Sequence, residues 1–250
     1  MPPKTQYVDI KGKIVIASFG DRFIETYWMD EQIGTQKTVQ YVSDLFTLDV
    51  QKISLQKPTT WFSNFIQNRR NRPLRYLLVE DHVTLNEKET ARILRFNSKE
   101  IHVYAEVPYY FCFNGTLPKC DCFVFRHGEW ITLDHLKNSE ITEIFIFRSN
   151  LVENDMNQFL KHLMTGGCSQ LKFLSLEVRN YFDIQELFVG IEDKVIEVTE
   201  RRMYITPSNY EYTFNKSFDI RNEGGTRYSI CLYCLNTLII AVQPGDFQFG

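Results

Sequence analysis

The chain has 250 residues, a net charge of −3 and an ordinary balance of apolar and charged side chains, enough to bury a substantial core as one large domain or two small ones. The mildly negative charge gives no electrostatic footprint for a nucleic acid, and only 12 Gly and 8 Pro argue against long disordered linkers. The longest apolar stretch, Ser229 to Val242, contains Asn236 and Thr237 and is too short to span a bilayer. Met1 to Ile10 is polar, without the apolar core of a secretory signal. These features predict an intracellular protein, cytoplasmic or nuclear, whose six cysteines stay reduced.

In chain order, Lys13–Ser18 and Arg22–Trp28 read as two strands of a hairpin, joined through Gly20 and Asp21. Lys37–Thr47 places Val39, Val42, Leu45 and Phe46 at helical spacing. Thr60 is placed to cap a helix over Trp61–Asn68, and the basic run Arg69, Arg70, Arg72 complements its dipole. Thr84 and Glu87 have capping-box spacing for a helix over Leu85–Arg95. Tyr104 to Thr116 holds Pro108 among a crowd of aromatics, which disfavours a helix and predicts an irregular loop. Val152–Met164 is the clearest helix, with one stripe of Met156, Phe159, Leu160 and Leu163, and Gly166-Gly167 to end it. Asn157, at the edge of that stripe, is expected to bond to loop backbone. Asp183 and Glu186 start a further helix through Ile191. Beyond residue 193 the rhythm becomes period two. Lys194–Thr199, Met203–Thr206, Ser217–Arg221, Thr226–Leu232 and Thr237–Val242 read as antiparallel strands, with a turn at Glu223-Gly224-Gly225.

A repeated phrase organises the middle of the chain. One apolar residue is followed three positions later by a second and two later by a third: Val50-Ile53-Leu55, Leu74-Leu77-Val79, Leu117-Cys120-Cys122, Ile141-Ile144-Ile146 and Leu171-Leu174-Leu176. Ser98-Ile101-Val103 keeps the last two. The final pair lies on one face of a short strand, and the copies recur at a solenoid-like period. The expected fold is therefore α/β: an irregular leucine-rich-repeat-like solenoid with parallel strands over residues 49–192, a β-hairpin and helix cap over 1–48, and an antiparallel β cap over 193–250. Residues between and flanking the core positions should form the opposite strand face. They are Tyr76, Leu78, Glu80, His102, Tyr104, Asp121, Phe123, Phe145, Phe147, Phe173, Ser175 and Glu177. Either these anchor a protein partner or the terminal β segments fold over them as a second core.

No residue pattern points to catalysis or to a cofactor. Cys231 and Cys234 have the gap of a zinc or redox pair but sit in a strand-like apolar run without two further ligands, so structural burial is expected. Cys120 and Cys122 occupy core positions of the repeat. The five histidines, at 82, 102, 127, 135 and 162, show no metal-binding spacing. One of them can still neighbour a cysteine in the fold, which keeps a cysteine hydrolase as a distant alternative.

The phrases Trp130-Ile-Thr-Leu-Asp-His-Leu136, Asn154-Asp-Met-Asn-Gln-Phe-Leu-Lys-His162 with Gly166-Gly167, and Leu171-Lys-Phe-Leu-Ser-Leu176 resemble the nematode F-box-associated domain of the second type. Phe218-Asp-Ile-Arg-Asn-Glu-Gly-Gly-Thr226 is similar to that domain's closing motif. Val152 stands where the family usually carries Ser or Thr, which is expected to shift the helix cap to Asn150, with Glu153 in register. Leu163 replaces the usual Trp. The resemblance implies a non-enzymatic protein-recognition domain, the substrate-recruiting part of an F-box ubiquitin-ligase adaptor, or alternatively a stand-alone scaffold or decoy. Residues 1–40 do not read as the helical F-box that precedes such domains. Binding of a ligase adaptor subunit is thus expected only if an F-box is supplied, beside a protein substrate of unstated identity, with no nucleic acid, membrane or cofactor.

Overall fold

The computed structural model describes residues 4–19, 24–47, 50–56, 72–179, 183–233 and 236–243, with 61, 65, 66, 68 and 181 as single positions. The chain forms two compact units, residues 1–51 with 59–72, and residues 52–58 with 73–250. The expected Gly20-Asp21 turn, the Thr60 cap, and Arg69 and Arg70 lie outside the described residues.

The first unit holds an antiparallel sheet of three strands, β1 (Lys4–Ile10), β2 (Lys13–Phe19) and β3 (Ile24–Tyr27), in the order β1-β2-β3. The expected hairpin is thus the second half of a three-stranded meander. The missed turn is Lys11-Gly12. Both residues have positive φ, 53° and 76°, as tight hairpin turns demand, and the Asp9 carboxylate accepts from the Gly12 amide at 2.8 Å. Helix α1 (Glu31–Phe46) begins six residues before the expected Lys37, because Asp30 caps it by accepting from the Ile33 amide. Trp28 crosses this helix at Gly34. A Cβ there would lie 2.3 Å from the indole.

The second unit is mostly sheet. Strands β4 (Lys52–Leu55), β5 (Leu74–Val79), β6 (Ser98–Val103), β7 (Cys122–Phe125), β8 (Glu143–Ser149) and β9 (Phe173–Val178) pair in parallel and in chain order. Three helices are described between them: α2 (Glu87–Ile93), α3 (Leu133–Lys137) and α4 (Glu153–Met164). Six strands follow: β10 (Ile196–Val198), β11 (Arg202–Ile205), β12 (Glu211–Phe214), β13 (Ser217–Arg221), β14 (Arg227–Tyr233) and β15 (Thr237–Val242). Four of them extend the same sheet antiparallel, giving the order β10-β13-β14-β15-β9-β8-β7-β6-β5-β4. This sheet is open and does not close into a barrel. β11 and β12 form a separate hairpin. β12 escaped the sequence reading because it lacks a sustained alternation.

Register explains which residues are hidden. Leu77, Ile101, Phe123, Ile144 and Leu174 stand side by side across β5 to β9, and each is at most 1% exposed. This row corrects the reading of β7. Phe123 and Phe125 lie in the rows of the repeat's core positions, and Cys122 and Val124 face the other way. The loop from Tyr104 to Thr116 contains no helix. It buries Phe111 and Phe113 edge-on against Trp130 at 5.4 and 5.9 Å.

The helix boundaries also moved. α2 is capped by Asn86 rather than Thr84, in a reciprocal box with Glu89. Thr84 instead bridges to Glu106. α4 begins after Val152, whose amide donates to the Asp155 carboxylate at 3.1 Å. Asn150 is not its cap, since its side chain donates to the Glu129 carbonyl. The expected helix from Asp183 to Ile191 is reduced to a 3-10 turn at Glu186–Phe188. Asn157 ties that turn to α4, donating to the carbonyls of Leu187 at 2.8 Å and Val189 at 3.0 Å. Asn157→Ala leaves these carbonyls without their donor, so denaturant melts are expected to show a loss of about 1–3 kcal/mol. A loss near zero would mean that the turn holds itself.

Candidate functional site

The strand face opposite the helices divides into two halves. Over β7, β8, β9 and β15 it is covered by the β11–β12 hairpin. Cys122, Val124, Phe145, Phe173, Cys231, Ile239 and Ala241 form one cluster with Tyr204 and Phe214 of the hairpin. Phe173 stacks on Tyr204 at 5.7 Å and meets Tyr212 at 4.8 Å. Phe145 meets Tyr210 edge-on at 5.6 Å. Polar links pin the hairpin down. The Tyr204 hydroxyl donates to the Lys172 carbonyl, Ser208 donates to Glu143 at 2.8 Å, and Arg202 pairs with Asp219 at 2.7 Å.

For Phe145 and Phe173 the fold therefore takes the second-core alternative. Ser175 is buried in the same row, Phe147 packs half-buried at the margin, Glu177 is half-buried and Asp121 is exposed. Phe123 belongs to the opposite face and leaves the candidate set. Cys231 is buried in the second core. Cys234 lies outside the described residues.

Over β5 and β6 no hairpin among the described residues lies on the face. Tyr76, Leu78, Glu80 and Tyr104 are half-buried there, with His102 buried beneath the rings. Tyr76 lies 4.8 Å from the His102 ring, and Tyr104 lies 6.4 Å from it. Lys52 sits over Tyr76 at 5.6 Å, a cation–π contact. Ser54 donates to Glu80 at 2.6 Å. Burial first, then the neighbouring Tyr104 and Tyr210, pushes the Tyr76 hydroxyl up to about 12. Tyr210, 48% exposed, brings the hairpin's margin to this group. Sequence reasoning missed it because no spacing links residue 210 to β5 and β6.

The fold does bring a histidine to a cysteine. His102 Nε2 and Cys122 Sγ are 3.8 Å apart, on neighbouring strands one repeat apart. The pair is not poised as a nucleophile. Burial pushes the thiol up to about 12 and the imidazole down to about 4, so both are neutral at pH 7, and a thiolate is the reactive form. Glu143 is also buried beside Cys122. One of its carboxylate oxygens accepts from Ser208, and the other has no partner among the described residues. Burial raises its pKa, against the Ser208 and Thr206 hydroxyl bonds. Among the described residues no group of three or more His, Cys, Asp or Glu is arranged to hold a metal, and no helix is long and apolar enough to cross a membrane.

Two outcomes follow from this electrostatic state. Thiol labelling at pH 7, read residue by residue by mass spectrometry, is expected to modify exposed Cys112 and spare Cys122. Equal rates at the two would mean an activated thiol. The His102 pKa is lowered on folding from 6.5 to about 4, so the unfolded chain takes up the extra proton. The His102 contribution is complete above pH 6.5 and is lost as pH falls toward 4, by up to about 3 kcal/mol. Glu143 acts in the opposite sense, so the comparison is with His102→Leu. The stability of that variant should fall less than wild type over this window, and parallel curves would refute the assignment.

Comparison with known proteins gives partial matches. One curated relative, the E3 ubiquitin-protein ligase hecw-1 of Caenorhabditis elegans, is 24% identical over 87 residues, covering 34% of this chain. The chain spans about 7% of that protein's length. No solved structure matches. Residues 115–176, which carry β7, α3, β8, α4 and most of β9, match the family described as F-box associated.

Proposed function

We propose that this chain is a non-enzymatic protein-recognition module, the substrate-recruiting part of an F-box type ubiquitin-ligase adaptor. The stacked strand-and-helix repeats act as a solenoid-like scaffold that offers one strand face to a protein partner. The observation that carries this reading is the division of that face. The hairpin covers β7 to β9, and Tyr76, Leu78 and Tyr104 stay half-open beside Tyr210. Tyrosines held by their neighbours at a partly open surface are the residue type that anchors partners at small entropic cost. The F-box associated match supports a protein-interaction role, and the similarity to a ubiquitin ligase supports the ubiquitin link. The neutral His102–Cys122 pair weighs against the cysteine-hydrolase alternative.

The test uses the whole chain as bait, wild type against a Tyr76→Ala, Tyr104→Ala double variant. Loss of two anchors is expected to weaken partner capture by roughly 10- to 100-fold, with the thermal transition shifted by no more than a few degrees. A Phe145→Leu variant, which loosens the second core, is expected to lower stability and keep the partner. Unchanged capture by the tyrosine variant would reject the open face as the binding surface. Ligase subunits in the eluate would tie the module to ubiquitin, and a partner without them would favour the stand-alone scaffold. An F-box grafted ahead of Tyr7 is expected to add binding of the adaptor subunit without changing the partner.

A further inference from the structure

A recess lies away from the open strand face, at the other end of the sheet. It has a volume of about 710 Å³. Strand ends enclose it: Lys172 just before β9, Arg221 at the end of β13, Arg227 at the start of β14, and Val242 at the end of β15. The glycine turn at Gly224-Gly225 forms one side, with Gly225 at φ +84°. Tyr204 and Ile205 of β11, followed by Pro207, give it an apolar wall.

The charges around it do not balance. Lys172, Arg221 and Arg227 line it, and among the described residues no carboxylate does. The acid that pairs with one of these cations is Asp219, which is 4% exposed. It is committed to Arg202 at 2.7 Å and to the Ser229 hydroxyl at 2.6 Å, and it reaches Arg227 only at 3.9 Å. Lys172 and Arg221 are exposed and form no ion pair with a described residue. Asp219 thus offsets Arg202 first and Arg227 in part, and Lys172 and Arg221 are left without an ion pair to a described residue beside a half-apolar hollow.

A second observation indicates what kind of molecule carries the matching charge. Among the described residues β11 pairs with β12 alone, so its other edge has no described strand against it. Its residues Tyr204 and Ile205 form the wall of the recess. An extended peptide lying along such an edge is held by its main chain, and a side chain can then turn into the hollow.

We propose that this recess binds a phosphorylated side chain of a protein partner, gripped by Lys172, Arg221 and Arg227 while neighbouring apolar residues rest on Tyr204, Ile205 and Pro207. Three cations suit a phosphate, which carries between one and two negative charges and three acceptor oxygens, better than a single carboxylate. Arginine forks add directional paired hydrogen bonds. The site stands or falls separately from the open strand face, with which it shares no residue.

The full chain is immobilised and offered degenerate peptide pools centred on phosphoserine, phosphothreonine or phosphotyrosine, each beside its unphosphorylated counterpart. At least one phosphorylated pool is expected to be retained roughly tenfold over its counterpart, with the excess competed by inorganic phosphate and reduced by salt. A Lys172→Ala, Arg221→Ala double variant removes two exposed side chains, so its melting curve should match wild type and its phosphate-dependent retention should fall about tenfold. Equal retention of phosphorylated and unphosphorylated pools overturns the proposal. So does a variant that keeps the excess, and so does charge-dependent binding to phosphoinositide vesicles with no peptide pool enriched. A Tyr76→Ala, Tyr104→Ala chain that retains the phosphorylated pool shows that the two surfaces act independently.

Discussion

A sheet whose central strands are apolar on both sides must be covered on both sides. That requirement organises the second unit. β7 is buried at all four positions and β8 at its first four. Helices cover one face of the parallel strands. The described crossover helices, α2, α3 and α4, are spent on the first side, and the β6–β7 crossover has none to offer the other. The chain solves this with a two-stranded hairpin drawn from the C-terminal strands. Its tyrosines supply apolar area in their rings and hydrogen bonds at their tips. The hairpin is narrower than the sheet, and where its cover stops, the strand face opens.

Much of this was legible in the residues. The recurring phrase located β4, β5, β6, β8 and β9 and their parallel order, because its last two positions carry the period of a strand. The same phrase misled at β7. Leu117-Cys120-Cys122 fits it by apolarity, but Cys122-Phe-Val-Phe125 is apolar throughout. A strand buried on both faces has no alternation to reveal which side is which. Register with Ile101 and Ile144 settles it, and register is a property of the neighbours. The helix starts failed for a related reason. Asn86 and Thr84 each have a glutamate three residues on, Glu89 and Glu87, and only the Thr84–Glu106 bridge decides between them. The site residues were half-legible. Tyr76 and Tyr104 follow from the strand pattern, whereas Tyr210 and the division of the face depend on where a hairpin more than 90 residues away lands.

The His102–Cys122 pair shows how little proximity alone establishes. The two side chains meet because parallel strands put residues of successive repeats next to one another. Their surroundings then remove the charge that a nucleophile would need. The same burial leaves Glu143 with an oxygen unpartnered beneath the hairpin. Burial shifts His102, Cys122 and Glu143 each toward its neutral form, as expected where tyrosine rings exclude water.

The strand order has a consequence for how the chain is made. β15 lies between β9 and β14, so a strand from the far end of the sequence sits inside the sheet. Until residues 237–242 have left the ribosome, β9 presents an unpaired edge, and β10, β13 and β14 have nothing to dock on. The parallel array can assemble strand by strand as it emerges, whereas the antiparallel half must wait and then join in one event. A nascent chain halted before β15 would carry a long apolar edge, the kind of surface that chaperones shield and that pairs with its own copies when they do not.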